Sequence, residues 1–133
     1  MTTPYVPTAY KAPDEQPDNL AFWQAAREGK LLVKHCKSCG KAHWYPRTLC
    51  PFCMGETEWK PSTGRGKVYS YSITRKAGPT PFCIAYVTLD EGVTMMTQIV
   101  DTDLDAVKIG MPVQVRFAPT TEDGAPVPVF APV

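Results

Sequence analysis

The chain has 133 residues, a length that suits one ordinary domain or two very small ones. Hydrophobic residues make up 44% of it, which predicts a folded protein rather than a disordered one. The formal net charge is +1 at pH 7, which argues against a partner held mainly by nonspecific attraction to phosphates. The 14 prolines and 9 glycines disfavour long helices and favour short strands joined by turns.

The five cysteines bear on the cellular compartment. Residues 1–18 lack the basic start and apolar stretch of a secretory signal, and the sequence lacks a run of about 18 apolar residues that would span a membrane. In a reducing compartment, clustered thiols bind metals more often than they form disulfides. These features predict a cytoplasmic protein.

The first part of the chain predicts an arm followed by a short helix. Residues 1–18 contain four prolines and predict an extended arm available to a partner. Asn19 is a suitable N-cap for a helix that runs through Arg27 and stops before Gly29. Its aromatic residues share one side, so we expect the helix to dock on the body of the protein.

The strongest motif consists of two cysteine pairs, each with two intervening residues, separated by ten residues: Cys36, Cys39, Cys50 and Cys53. Each pair forms a tight turn that points two sulfurs at one ion, and four sulfurs complete a tetrahedron. The pattern therefore predicts one structural zinc ion in a zinc ribbon, with no open position for a substrate. Iron in a rubredoxin-like centre uses the same ligands and stays an alternative.

Other candidate metal-binding or reactive side chains have simpler interpretations. His35 and His43 lie beside the cysteines, but four thiolates already complete the site, so we expect both outside the ligand set. Cys83 lies in an apolar strand context, which predicts a buried free thiol rather than a nucleophile. The sequence carries no recognisable catalytic motif, and Asp90 and Glu91 fall in a predicted turn.

A hinge at residues 61–64 predicts a domain boundary. We expect an arm over 1–18, a helix plus ribbon over 19–60, and a barrel with a C-terminal tail over 61–133. Leu31–Val33 and Glu56–Lys60 are predicted ribbon strands. The barrel strands are predicted at Lys67–Arg75, Cys83–Leu89, Val93–Val100, Val113–Phe117 and Val127–Phe130. The predicted class is mainly β with a five-stranded OB-fold barrel, although strand count alone also allows an SH3-like barrel.

Basic residues cluster in sequence near this hinge. Residues 60–76 contain five basic side chains and no acid. A phosphate-bearing ligand could be held there by cationic side chains together with backbone amides around Gly64 and Gly66. The candidate contacts for the phosphates of coenzyme A (CoA) are Arg65, Lys67, Arg75 and Lys76.

Four ordered segments resemble one protein family: HCKSCGKAHWYPRTLCPFC (35–53), STGRGKVYSYSIT (62–74), PFCIAYVTLDEG (81–92) and IGMPVQVRF (109–117). They resemble the zinc-ribbon/OB-fold acyl-CoA-associated proteins, long catalogued as domain of unknown function thirty-five. The resemblance implies a rubredoxin-like ribbon on an OB barrel. It also implies association with thiolase-superfamily enzymes, and in some members with hot-dog-fold enoyl-CoA hydratases. No catalytic residue carries over.

These features lead to a functional hypothesis with two alternatives. The favoured hypothesis is a non-catalytic accessory subunit of a thiolase, acyltransferase or thiolase-like aldolase. It would dock through ribbon, helix and arm and would form or shield the partner's CoA channel. One alternative is a nucleic-acid-binding module that stacks bases on Tyr69 and Tyr71. The other is a free-standing acyl-CoA carrier.

Overall fold

The computed structural model describes residues 3–7, 10–76 and 78–133. Within these residues it has one α-helix and eight strands. The helix α1 is Leu20–Arg27, and the strands β1 to β8 are Leu32–Cys36, Ala42–His43, Thr57–Pro61, Arg65–Thr74, Phe82–Leu89, Thr94–Ile99, Pro112–Ala118 and Val127–Pro132. The predicted fold class is confirmed, with a short helix and a small ribbon sheet ahead of a closed five-stranded barrel.

The helix α1 begins and ends close to its predicted bounds. Asn19 occupies the N-cap position, but its side chain makes no bond to the helix. Instead it accepts the Gln16 amide at 2.8 Å and donates to the Tyr45 hydroxyl at 3.3 Å, which links the helix start to the ribbon. Phe22 and Ala26 are buried on one side, where helical spacing places them together. The helix therefore docks on the body of the protein.

The ribbon sheet has the strand order β2-β1-β3, with both pairings antiparallel. Its first strand starts one residue later than predicted and continues to Cys36, so it leads directly into the first cysteine pair. Leu31 and Val33 are fully buried and pack with Phe22 into the cluster that fills the barrel. Because the ribbon is too small to bury a core of its own, it shares the core of its neighbour.

The barrel strands follow the order β4-β5-β6-β8-β7, and β4 pairs with β7 to close the ring. All pairings are antiparallel except β6 with β8, which meet in parallel at Ile99 and Phe130. The five strands thus follow the spatial order 1-2-3-5-4 of an OB fold rather than an SH3-like arrangement. Both residues of this parallel contact, which we call the barrel closure, are fully buried.

The alternation in KVYSYSITR (67–75) predicts that Tyr69, Tyr71 and Ile73 share one face of β4, and this prediction is wrong. A bulge places Val68 opposite Val87 and Ser70 opposite Tyr86, which leaves Tyr69 as an extra residue. The bulge exchanges the two faces of the strand. As a result, Ile73 pairs with the buried Cys83 and packs against the core instead of sharing an outer face with Tyr69.

The described part of the N-terminal arm lies on its own barrel. The Thr3 amide donates to Asp103 at 2.8 Å, and the Thr3 hydroxyl donates to Asp105 at 2.6 Å. Further along, Tyr10 forms a parallel bridge with Thr120. Burial raises the pKa of Tyr10 to about 12. The arm is therefore tied to its own barrel at Thr3 and Tyr10, and its contact with a partner stays a prediction.

The segment predicted as a hinge is fixed by hydrogen bonds. The Ser62 hydroxyl donates to one carboxylate oxygen of Glu91 at 2.6 Å, and the Thr63 amide donates to the other at 3.2 Å. The Thr63 hydroxyl also donates to Asp90 at 3.2 Å. The two acidic residues of the β5–β6 turn thus hold the linker in place, and the shared core reinforces the connection between ribbon and barrel.

Candidate metal centre and surrounding surfaces

Four thiol sulfurs meet at one end of the ribbon sheet, those of Cys36, Cys39, Cys50 and Cys53, and all lie within 4.8 Å of one another. The sulfurs of Cys36 and Cys53 are 3.5 Å apart, and those of Cys39 and Cys50 are 3.7 Å apart. Zinc–sulfur bonds of about 2.3 Å in a tetrahedron require sulfurs about 3.8 Å apart. The geometry therefore fits one structural zinc ion with no open coordination position.

Each cysteine pair lies in a tight turn whose backbone supports the sulfurs. The amides of Ser38 and Cys39 both donate to the Cys36 sulfur at 3.3 Å, and the Phe52 amide donates to the Cys50 sulfur at 3.4 Å. Such bonds favour the thiolate form that binds the metal. The backbone amide bonds lower the pKa of Cys36 to about 6, the direction that favours metal binding.

The loop between the two cysteine pairs is held by His43. The Arg47 amide donates to His43 Nε2 at 3.3 Å, while the buried Nδ1 has no hydrogen-bond partner among the described residues. Burial lowers the pKa of His43, so the neutral ring that accepts this bond is favoured. His43 therefore lies outside the ligand set, as expected, and positions the loop that leads to Cys50.

Thr57 fixes the same loop from the closing strand of the ribbon. Its hydroxyl lies within hydrogen-bond distance of the carbonyl oxygens of Arg47 and Thr48, at 2.9 and 2.8 Å. The Lys34 ammonium in turn donates to the Thr57 hydroxyl at 3.1 Å and lies 4.6 Å from the centre of the Trp59 ring. Lys34 is buried, and desolvation lowers its pKa. The sequence pattern did not reveal this role for a lysine.

Cys83 lies far from the metal centre in sequence and is enclosed within the barrel. Its side chain is fully buried, and burial raises the pKa of the thiol to about 11. A neutral, inaccessible thiol is a poor nucleophile. Cys83 is therefore a core residue, as expected.

The four candidate CoA contacts do not form one cluster. Arg65 and Lys67 are exposed near the linker, whereas Arg75 and Lys76 follow the other end of β4. Arg75 comes ten positions after Arg65 and just beyond the end of β4, a path of roughly 33 Å. Arg75 also forms an ion pair with Asp105 and donates to the Thr3 hydroxyl at 3.3 Å.

The two glycines near the linker do not offer the free amides that a phosphate cradle needs. The Gly64 amide donates to the Ser62 hydroxyl at 3.0 Å. Gly66 is buried within β4, where an added Cβ would lie 2.5 Å from the Thr88 carbonyl oxygen. Arg65 and Lys67 are the two candidates that remain exposed near the linker.

The structure shows two exposed apolar surfaces that were not predicted from the sequence. One is the turn of the second cysteine pair, where Phe52 and Met54 are 61% and 68% exposed. The other is the outer face of β5 and β6, where Tyr86 pairs with Met96 and both are exposed. The alternation of buried and exposed residues in these strands carried a signal for the second surface.

Among the described residues, no helix has the length and apolarity required to cross a membrane. The only α-helix in the described residues has eight residues, and a membrane-spanning helix needs about 20.

The fold and metal centre define the class of protein, a four-cysteine ribbon joined to an OB-fold barrel. Family models match both parts. Residues 23–59 match the ChsH2 rubredoxin-like zinc ribbon domain, and residues 59–118 match the ChsH2 C-terminal OB-fold domain. The description of the first domain favours zinc over iron as the metal.

Similarity to individual proteins establishes the family. The chain is 36% identical over 110 residues to a DUF35 domain-containing scaffold protein from Methanocaldococcus jannaschii, covering 77% of this chain and 78% of the relative. The chain belongs to the DUF35 family, so the resemblance found in the sequence is confirmed. It is also 29% identical over 132 residues to the benzoylsuccinyl-CoA thiolase subunit BbsA from Geobacter metallireducens, covering 91% of this chain and 89% of the relative.

Two further similarities come from multi-component enzymes. The solved structure of the Ltp2-ChsH2(DUF35) aldolase matches with a TM-score of 0.78 at 30% identity, covering 90% of this chain and 98% of that chain. A probable enoyl-CoA hydratase alpha subunit from Thermomonospora curvata is 31% identical over 121 residues. The match covers 86% of this chain but only 37% of that relative.

Proposed function

We propose that this chain is a non-catalytic accessory subunit of a thiolase-superfamily enzyme in acyl-CoA metabolism. The observation that carries the proposal is similarity over nearly the whole length to a chain named as a thiolase subunit. A likeness of comparable extent to the ChsH2 chain of an aldolase supports it. A hot-dog-fold hydratase is proposed as a further partner. The domain division at residues 60 and 61, with an arm over 1–18, stays part of this proposal.

The chemistry of the described side chains supports a non-catalytic role. Cys36, Cys39, Cys50 and Cys53 are proposed as the ligands of one structural zinc ion, which would leave no position for a substrate. The remaining cysteine, Cys83, is buried in the core with a raised pKa. Asp90 and Glu91 are engaged by the linker. The contribution to catalysis would therefore come from shaping or shielding the partner's site.

We also propose that the chain contacts the phosphates of CoA near the linker. Arg65 and Lys67 are exposed there, and among the described residues neither has a carboxylate within 4.0 Å. Arg75 and Lys76 would take no part in this contact because they follow the opposite end of the strand. Replacing Arg65 and Lys67 with glutamate should raise the KM of the complex for acyl-CoA, whereas Lys76→Glu should leave it unchanged.

The experiment that tests the function begins with the tagged chain purified from its source organism. A thiolase-superfamily protein should co-purify at fixed stoichiometry and be identified by mass spectrometry. That protein, produced alone, should lose stability or acyl-CoA activity and regain it when the chain is added. A partner that is stable and fully active alone would contradict the proposal. Salt-dependent binding of single-stranded RNA would instead support the nucleic-acid alternative, with Tyr69 and Tyr71 as stacking surfaces.

A further inference from the structure

The two cysteine turns share one hydrogen-bond pattern but differ in the residue that follows the second cysteine, Gly40 in one and Met54 in the other. In the first turn the Gly40 amide donates to the Cys36 carbonyl at 3.1 Å, and in the second the Met54 amide donates to the Cys50 carbonyl at 2.8 Å. Both residues adopt the left-handed conformation, with φ of 75° and 65°. Glycine adopts it without cost, whereas a side chain on a left-handed residue clashes with its own backbone.

Met54 is unusual among the described residues with positive φ. The others that are not glycine are Asp101, Glu122 and Asp123, all of them acidic. Aspartate tolerates this conformation because its short side chain can bond locally, which leaves Glu122 and Met54 as the two long side chains held in it. Met54 has no such local bond, and its side chain is 68% exposed, so it does not offset the strain by packing in the core. Strain held at an exposed apolar side chain points to a role outside the chain.

The surroundings of Met54 form a small apolar tip on a rigid base. Phe52 is 61% exposed on the same turn, and the Lys41 ammonium lies 5.1 Å from the centre of its ring. The turn carries two of the four clustered cysteines, so bound metal would hold both side chains in place. A backbone held in advance reduces the ordering cost of binding, and aromatic residues and methionine are enriched in protein interfaces.

The charge near this tip is mainly positive, although the exposed Glu56 follows the turn and pairs with Lys37 at 3.8 Å. Residues 29–55 contain five lysines and arginines and no acid. Among the described residues, neither Lys41 nor Arg47 has a carboxylate within 4.0 Å, and both are exposed. An apolar tip edged by free cations complements an apolar pocket edged by carboxylates.

We propose that the second cysteine turn is the anchor by which this chain docks on its enzyme partner. Phe52 and Met54 enter an apolar pocket of the thiolase-superfamily protein, and Lys41 and Arg47 face acidic residues at its edge. This inference rests on the proposed function and assigns the contact to particular residues. The contact of the Met54 side chain with the partner would offset the conformational cost of its positive φ.

The test uses the full-length zinc-loaded chain and the thiolase-superfamily protein identified by co-purification. Binding is measured by surface plasmon resonance, and the stability of the free chain by thermal denaturation. Met54→Gly relieves the strain and removes the anchor, so it should raise Tm by about 3 °C and weaken Kd at least about tenfold. Met54→Leu keeps both strain and apolar character and should bind within about threefold of the unaltered chain.

Two further variants test a second anchor residue and provide a control on the barrel. Phe52→Ala should weaken Kd by at least about tenfold with one zinc still bound per chain. Met96→Ala is the matched control, since Met96 is 62% exposed on the barrel, and it should bind as the unaltered chain does. Unchanged binding by Met54→Gly, a lower Tm for that variant, or weakened binding by Met96→Ala alone would overturn the inference. Failure of the unaltered chain to bind would instead refute the proposed function.

Discussion

Removal of zinc should unfold the ribbon while the barrel stays folded. Structural zinc contributes about 10–16 kcal/mol in small zinc domains, which is as large as the whole stability of a typical domain, about 5–15 kcal/mol. The ribbon strands have five, two and five residues, and they cannot bury enough apolar surface to replace this term. We therefore expect chelation at neutral pH to release residues 32–61 from their native structure.

The free energy that the barrel would lose on unfolding of the ribbon can be estimated from the core that the two parts share. Phe22, Leu31 and Val33 pack against the barrel, and burial of each side chain contributes about 1.5–3 kcal/mol, or roughly 5–9 kcal/mol together as an upper limit. The barrel keeps the rest of the core, including Ile99 and Phe130 at its closure. It should therefore remain folded at 10 °C, with a lower Tm than in the zinc-bound chain.

The chain contains a separate natural probe for each part. Its three tryptophans, Trp23, Trp44 and Trp59, lie in the helix and the ribbon, so their fluorescence reports the ribbon. The buried thiol of Cys83 reports the barrel. On addition of chelator the emission should shift to longer wavelength, and four of the five thiols should react quickly with Ellman's reagent. Cys83 should react at least about tenfold more slowly.

Two results would refute this reasoning. An unchanged tryptophan spectrum after complete zinc removal would show that the metal does not hold the ribbon. Simultaneous reaction of all five thiols would show that the barrel has no stability of its own. The matched control is Cys83→Ala, which should abolish the slow phase and leave the four fast thiols unchanged.

Three further predictions concern stability. Phe130→Ala, at the fully buried barrel closure, should cost about 3–5 kcal/mol in urea denaturation, and a loss below about 1 kcal/mol would contradict the packing. Gly66→Ala should cost about 1–3 kcal/mol because its Cβ would meet backbone at 2.5 Å, whereas Gly78→Ala, with contacts at 3.8 Å, should be neutral. Hydrogen bonds from Thr3 and Arg75 lower the pKa of Asp105, so its stabilising effect should be present at neutral pH and lost as pH falls through the lowered pKa. The Tm difference between Asp105→Asn and the unaltered chain should shrink accordingly in acid.

The metal cluster and most strand positions could be predicted because their signals are local. The cysteine spacing alone places two sulfurs in each turn, and the structure brings all four together. Likewise, β5 runs over Phe82–Leu89, one residue longer than the predicted strand, because its alternating apolar residues match the two-residue period of a sheet.

Features that depend on distant partners could not be predicted. The bulge at Tyr69 depends on how β4 pairs with a strand that starts eight residues after β4 ends, and no residue near Tyr69 signals the extra position. Thr3 bonds Asp105, 102 residues away, so a proline-rich arm that resembles a free extension is tied to the barrel. The four candidate CoA contacts do not lie together because an extended strand separates residues that are close in sequence.

The charges available to a partner can be identified only when the ion pairs and hydrogen bonds within the chain are known. The sequence shows acidic residues in the barrel and basic residues in the ribbon, with a net charge near zero. Several acids are engaged within the chain, since Glu91 holds the linker and Asp105 binds the arm. Lys41 and Arg47 have no such partner among the described residues, and Lys41 lies 5.1 Å from the ring of Phe52 on the same turn as the exposed Met54. A nearly neutral chain can therefore present one cationic, apolar-tipped surface, which explains how a small subunit could select an acidic site on a larger enzyme without general affinity for polyanions.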